Sequence, residues 1–151
     1  MATERRATPG ECARAVLETT PLIMQSLRAQ MRSRRGALSV PQFRALAFVG
    51  RRPRSSLSDV AQHVGTSLPS MSKLIDGLVT RGMVERVPEA DDRRRVALSL
   101  TRDGRRLLDV VHDATQAHLS GLFEGLSAIE RAAIVDAMKL VSPLFSVPES
   151  T

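Results

Sequence analysis

Apolar residues recur along this chain at helical intervals, switch once to a strand-like alternation, and then return to helical spacing. Between Ala13 and Met31 the positions Val16, Leu17, Ile23, Met24, Leu27 and Met31 follow helical spacing, while Arg28, Arg32, Arg34 and Arg35 fall largely on other faces. The pattern predicts a long amphipathic helix that Pro21 kinks or breaks and that Gly36 ends. Ser39, with Pro41 and Gln42 behind it, has capping-box spacing and predicts a second helix from about Val40. Its apolar face is Phe43, Leu46, Ala47 and Val49, and it stops near Gly50, before the basic turn Arg51-Arg-Pro-Arg-Ser-Ser56.

Leu57, Val60, Ala61 and Val64 then occupy one face of a short helix that Gly65 closes as a left-handed stop. Only Thr66 and Ser67 separate it from a second set of the same spacing, Met71, Leu74, Ile75 and Leu78, for which Ser67 is the expected N-cap and Pro69 lies in the first turn. Two apolar faces joined by a tight turn make a helix-turn-helix. After Gly82 the period becomes two. Met83 to Val87 reads as one strand, and Val96, Leu98 and Leu100, alternating with Arg95, Ala97 and Ser99, as another. The charged segment Pro88-Glu-Ala-Asp-Asp-Arg-Arg94 between them is the tip of a β-hairpin, a wing. Thr101 is placed to cap a following helix with the stripe Leu107, Leu108, Val111, Ala114, Leu119 and Leu122. Ser127-Ala-Ile-Glu130 is a second capping box, before a helix carrying Ile134, Ala137, Met138, Leu140 and Val141 that Pro143 should end. The predicted fold is mainly α with a small β-wing: dimerisation helices at 1–37 and 104–151 around a winged helix-turn-helix at 38–103. Disorder is expected only in the first few residues and from Val147 to Thr151.

Composition narrows the partners. The 22 Lys and Arg outnumber the 16 Asp and Glu, giving a formal charge of +6 that favours polyanions, nucleic acid first. No apolar run approaches the roughly 18 residues of a spanning helix, and the N-terminus leads into no apolar signal segment, so a cytoplasmic protein without membrane association is expected. The single cysteine, Cys12, can form no internal disulfide, and a lone small residue on a helix is usually inert. His63, His112 and His118 are too scattered for a metal site, so no metal and no cofactor is expected. No phosphate loop, nucleophile elbow or paired-carboxylate arrangement is present, which argues against an enzyme.

The helix from Ser67 to Thr80 should bury Met71, Leu74, Ile75 and Leu78 and expose Ser70, Ser72, Lys73, Asp76 and Gly77. Short side chains let a helix backbone approach the major groove, where Ser bonds several base edges and Lys reaches guanine or phosphate. The candidate recognition residues are therefore Thr66, Ser67, Leu68, Pro69, Ser70, Ser72 and Lys73. In the wing, Asp91 and Asp92 precede Arg93, Arg94 and Arg95. Either the loop neutralises itself, or an Asp orients one Arg by a bidentate pair while another enters a narrow minor groove.

Leu57-Ser-Asp-Val-Ala61, Gly65-Thr-Ser-Leu-Pro-Ser-Met-Ser-Lys-Leu-Ile-Asp-Gly-Leu78, Gly82-Met-Val-Glu-Arg86 and Asp92-Arg-Arg-Arg-Val-Ala-Leu-Ser-Leu-Thr-Arg-Asp-Gly104 together resemble the multiple-antibiotic-resistance regulator (MarR) family. The resemblance runs from about Ser39 to Gly104. It implies a transcriptional regulator of the repressor kind, a homodimer with two winged domains and interlocking terminal helices, bound to a near-palindromic operator in double-stranded DNA. It implies that Arg94 is the minor-groove arginine, oriented by Asp92. It also implies a small-molecule pocket beneath the helix that starts near Pro41, for which Met24, Leu27, Arg28, Phe43, Ala47 and His112 are the candidates. Arg28 would favour an anionic effector, whereas the absence of Tyr and Trp removes the usual polar aromatics of a phenolic site. The rival class is a non-specific DNA-binding or protein-interaction module on the same scaffold.

Overall fold

The computed structural model describes residues 6–145. Its elements run α1 (Pro9–Arg34), α2 (Val40–Arg51), α3 (Leu57–Val64), α4 (Leu68–Thr80), β1 (Val84–Pro88), β2 (Val96–Leu100), α5 (Arg102–Phe123) and α6 (Ala128–Phe145). The chain divides into two compact units, residues 1–115 and 116–151, and the division falls inside α5. The segment from Val147 to Thr151 and the first five residues, expected to be disordered, lie outside the described residues.

Helix starts follow local chemistry closely. Ser39, Ser56 and Ser67 each accept a hydrogen bond from the backbone amide three residues on, and the first two belong to full capping boxes with Gln42 and Asp59. Gly65 ends α3 at φ +79°, a left-handed conformation that suits glycine. Two helices depart from expectation because of proline. α1 begins at Pro9, ahead of the apolar stripe, under a capping box of Thr8 and Glu11, and it continues through Pro21 to Arg34. α6 likewise continues through Pro143 to Phe145. A proline removes one amide donor from a helix, and neither site becomes an end.

In the first unit Leu46, Val49, Val60, Met71, Ile75, Leu78, Val84 and Leu98 are fully buried, so α2, α3, α4 and the hairpin share one core. Met31, Leu107 and Leu108 pack at its edge, and Val111 is buried with it. The strands pair antiparallel with Val84 opposite Leu100 and Pro88 opposite Val96. β2 also has a partner on its other side: the Leu98 amide donates to the Ser55 carbonyl at 2.8 Å, and the Arg54 amide donates to the Leu98 carbonyl at 3.1 Å. This bridge places Arg54 at φ +64°, an unusual backbone for a residue with a side chain.

The expected alternation in β2 therefore fails. Ala97 and Leu98 are both buried while Val96 is 43% exposed. Leu98 sits where strands bond on both sides, Ala97 needs little cover, and Val96 lies at the outer end of the hairpin beside Pro88.

The start of α5 is fixed against the turn before β1. The Thr101 hydroxyl donates to the Gly82 carbonyl and accepts from the Gly104 amide, while the Thr101 amide donates to the Met83 carbonyl at 3.1 Å. Gly104 is buried so tightly that a Cβ there would lie 2.1 Å from the Met83 oxygen. In the second unit, Ser127 and Glu130 cap α6, and Ser120, Phe123, Glu124, Arg131, Ile134 and Val135 line a hollow of about 470 Å³. No residue of α6 is buried, and Ile129, Leu140, Leu144 and Phe145 are open to solvent. Among the described residues no helix is long and apolar enough to cross a membrane.

Candidate nucleic-acid interface

The first turn of α4 offers polar side chains to solvent because the apolar set of the helix is used elsewhere. Met71, Ile75 and Leu78 are buried and Leu74 is half-buried, leaving Ser67, Leu68, Pro69, Ser70 and Lys73 exposed. Ser67 organises this turn: its hydroxyl accepts from the Ser70 amide at 3.3 Å and contacts the Ser70 hydroxyl at 2.9 Å. No acidic side chain occupies the first turn, so the positive end of the helix dipole is left for an external anion. Thr66 and Ser72 are half-buried at the edge of this face.

Two residues expected on the outer face have internal partners. Asp76 accepts from the Arg86 guanidinium at 2.5 Å, an ion pair that ties α4 to β1. Gly77 is half-buried, and a Cβ there would come within 2.7 Å of the Gln42 side-chain nitrogen, so its missing side chain lets the N-terminal cap of α2 lie against α4. The period of the helix could not show that α2 would cover this corner.

At the wing tip Asp91, Asp92, Arg93, Arg94 and Arg95 are all exposed. The Arg95 amide donates to the Asp92 carbonyl at 2.9 Å, closing a turn around Arg93 and Arg94, and the Glu89 amide donates to the Arg95 carbonyl at 3.0 Å. The Asp92 carboxylate accepts from the Arg94 amide at 2.9 Å. That bond is to the main chain, and among the described residues no ion pair joins Asp92 to a guanidinium. An Asx-type bond occupies the carboxylate inside the turn, and Arg94 stays exposed.

The residues nominated for a ligand pocket differ in their exposure. Phe43 belongs to the core, Ala47 and Leu27 are half-buried, and Met24, Arg28 and His112 are exposed. His112 contacts its neighbour Asp113 at 3.4 Å, and Cys12 is exposed on α1.

Sequence reasoning gave no role to a group on α2 and α3. His63 stacks on Phe48 with ring centroids 4.6 Å apart, its Nε2 lies 3.5 Å from an Arg51 nitrogen, and Arg44 donates to the His63 carbonyl at 3.3 Å. Burial against Phe48 lowers the pKa of His63, and the charges of Arg51, Arg44 and Arg52 lower it further. A signal existed in the Arg-rich turn after α2, but nothing in the spacing linked it to His63.

Two short helices across a tight glycine turn, backed by a third and flanked by a two-stranded hairpin, define a winged helix-turn-helix protein. Residues 38–95 match the model of the MarR family. Over that stretch the chain is similar to the family. It is 28% identical over 105 residues to an uncharacterised helix-turn-helix-type transcriptional regulator, YfiV, of Bacillus subtilis, a match covering 70% of this chain and 66%, just under two thirds, of that relative. Among solved structures, RV1404 of Mycobacterium tuberculosis superposes with a TM-score of 0.78 at 19% identity, covering 96% of this chain and 99% of that one. FabT of Streptococcus pneumoniae, solved in complex with DNA, superposes with a TM-score of 0.65 at 22% identity, covering 87% and 95%.

Proposed function

We propose that this protein is a sequence-specific transcriptional regulator, acting as a repressor, that binds double-stranded DNA as a homodimer. The observation that supports this best is the juxtaposition, on one winged unit, of an exposed, acid-free helix start with Ser70 and Lys73 and an exposed arginine turn at Arg93 and Arg94. The first matches what a major groove requires and the second what a narrow minor groove attracts. A DNA complex of a protein with the same fold adds to it. Exposed apolar residues on α1 and α6, among them Leu17, Leu22, Ile129, Leu140 and Leu144, favour a two-fold partner as their cover. Two recognition helices related by a dimer axis would meet successive major grooves, so the operator would be a near-palindrome with half-sites roughly 10 base pairs apart. Occupying such a site would repress by blocking it.

The test is selection from random duplexes with the full-length protein, followed by footprinting. Recovery of one near-palindrome protected as a unit is the expected result. Uniform coating of DNA at low salt, with no enriched sequence, would instead assign the protein to the non-specific class.

A further inference from the structure

At the end of α3, immediately before the turn into α4, three arginines surround one histidine. Arg44 caps α3 by donating to the His63 and Val64 carbonyls at 3.3 and 3.5 Å. Arg51 reaches the His63 ring at 3.5 Å, and Arg52 lies over the Phe48 ring, 5.8 Å from its centroid, on which His63 is stacked. All three arginines and His63 are exposed. The carboxylate on the same stretch of α3, Asp59, is bound to the Ser56 amide and hydroxyl at 3.0 and 2.7 Å, and among the described residues none of the three arginines forms an ion pair. Asp59 feels the charge of Arg52 without pairing with it, so the guanidiniums stay open to an anion from outside. The place is informative too: Thr66 and Ser67 alone separate Gly65, the stop of α3, from the first residue of the exposed helix start of α4.

We propose that Arg51, Arg52 and His63 form a phosphodiester-binding site flanking the recognition helix, and that the His63 ring takes up a proton from solvent as the DNA backbone arrives. This rests on the DNA-binding function proposed above. Arginine can only donate, so the contact between Arg51 and Nε2 requires a neutral ring whose Nε2 accepts. Once protonated, Nε2 becomes a donor, the contact with Arg51 is lost, and both groups turn their N–H bonds to the same phosphate oxygens. The groups facing His63 are the guanidiniums of Arg44, Arg51 and Arg52 from α2 and its end, with Asp59 one turn away on α3 itself. Without DNA these arginines oppose the charged ring, in the same sense as its burial against Phe48. A phosphate reverses the local potential and favours the imidazolium. Bound protein then holds more protons than free protein, so affinity rises as pH falls, by at most about tenfold per pH unit for each His63 that couples.

Dissociation constants for a selected operator duplex, measured between about pH 7.5 and 5.5, test this on the full chain. The parent protein should tighten as pH falls, and His63→Gln should bind with a flat profile over that window. Arg51→Gln should weaken binding several-fold and lower the salt slope by about one. Even without DNA it should raise the pH at which the His63 ring titrates by NMR, a readout that survives if the histidine variant does not fold. Equal pH profiles for parent and His63→Gln would overturn the inference and leave the DNA-binding function standing. Failure of both proteins to bind any duplex would overturn both. Inorganic phosphate alone forms the last arm. If it shifts the His63 titration as far as the duplex does, the site is one for free phosphate and the DNA assignment fails.

Discussion

At the proposed interface single side chains would divide the labour, and substitution should separate them. Arg94→Ala removes an exposed guanidinium that no ion pair within the described residues restrains. It should weaken binding to all sequences and lower the salt slope by about one, because a groove or phosphate contact carries little base information. Lys73→Ala or Ser70→Ala should instead cost about 1–3 kcal/mol at particular base pairs and relax specificity there. Competition assays against a panel of single-base operator variants distinguish the patterns, and an Arg94→Ala protein with parental affinity throughout a salt titration would disprove the wing's role. Gly104 offers a residue-scale test of folding alone. A methyl group placed 2.1 Å from the Met83 carbonyl forces α5 away from the turn before β1, so Gly104→Ala should lower stability by about 1–3 kcal/mol or more in urea unfolding.

Elements were legible where their signals are local. Ser39 with Gln42, Ser67, Gly65, Thr101 and Ser127 with Glu130 each set a helix end by a contact within four residues, and the chain shows that spacing directly. Thr8 with Glu11 is the same signal, but it lies ahead of the apolar stripe, so periodicity alone starts the helix too late. What the chain does not show is cover arriving from afar: Ser55 beside Leu98, Gln42 against Gly77, Arg86 across from Asp76. In the wing, Asp92's choice of a backbone amide depended on the exact turn.

The capping boxes also titrate. Hydrogen bonds to the backbone and hydroxyl of Thr8 and Ser127 lower the pKa of Glu11 and Glu130, and those from the Ser56 hydroxyl and amide lower that of Asp59. A depressed carboxylate pKa in the folded state contributes stability that is fully present above the unfolded value and is lost as pH falls through the folded one. Unfolding midpoints should therefore drop below the usual carboxylate range, and Asp59→Asn should remove part of that drop. A variant whose acid limb overlays the parent's would show that the α3 box contributes nothing. Gln42, in the fourth box, has no charge to lose.

At the scale of the whole molecule, the proposed homodimer rests on the terminal helices. Leu140 and Leu144, 77% and 78% exposed, sit on a helix with no buried residue. The full-length protein should sediment as a dimer, and Leu140→Glu with Leu144→Glu should yield a monomer with helical content little changed. A parent that sediments as a monomer at high concentration would refute the homodimer. Because the winged core is buried around α2, α3 and α4, the monomeric variant should keep weak, salt-sensitive DNA binding while losing the near-palindrome preference.

The wing tip has one more implication, for how the strength of the proposed DNA contact could be changed. Asp92 and the backbone bonds of Glu89 and Arg95 hold the loop's shape, while the side chains of Arg93 and Arg94 take no part in holding it. Contour and charge are thus written on separate residues. Under the proposed function, substitutions at Arg93 and Arg94 should retune attraction to DNA without rebuilding the hairpin, and a library confined to these two sites should return mostly folded proteins spanning a wide range of affinities. The same library with Asp92 included should lose that yield, because every member lacking the carboxylate would have to find a new turn before it could offer any charge to the groove.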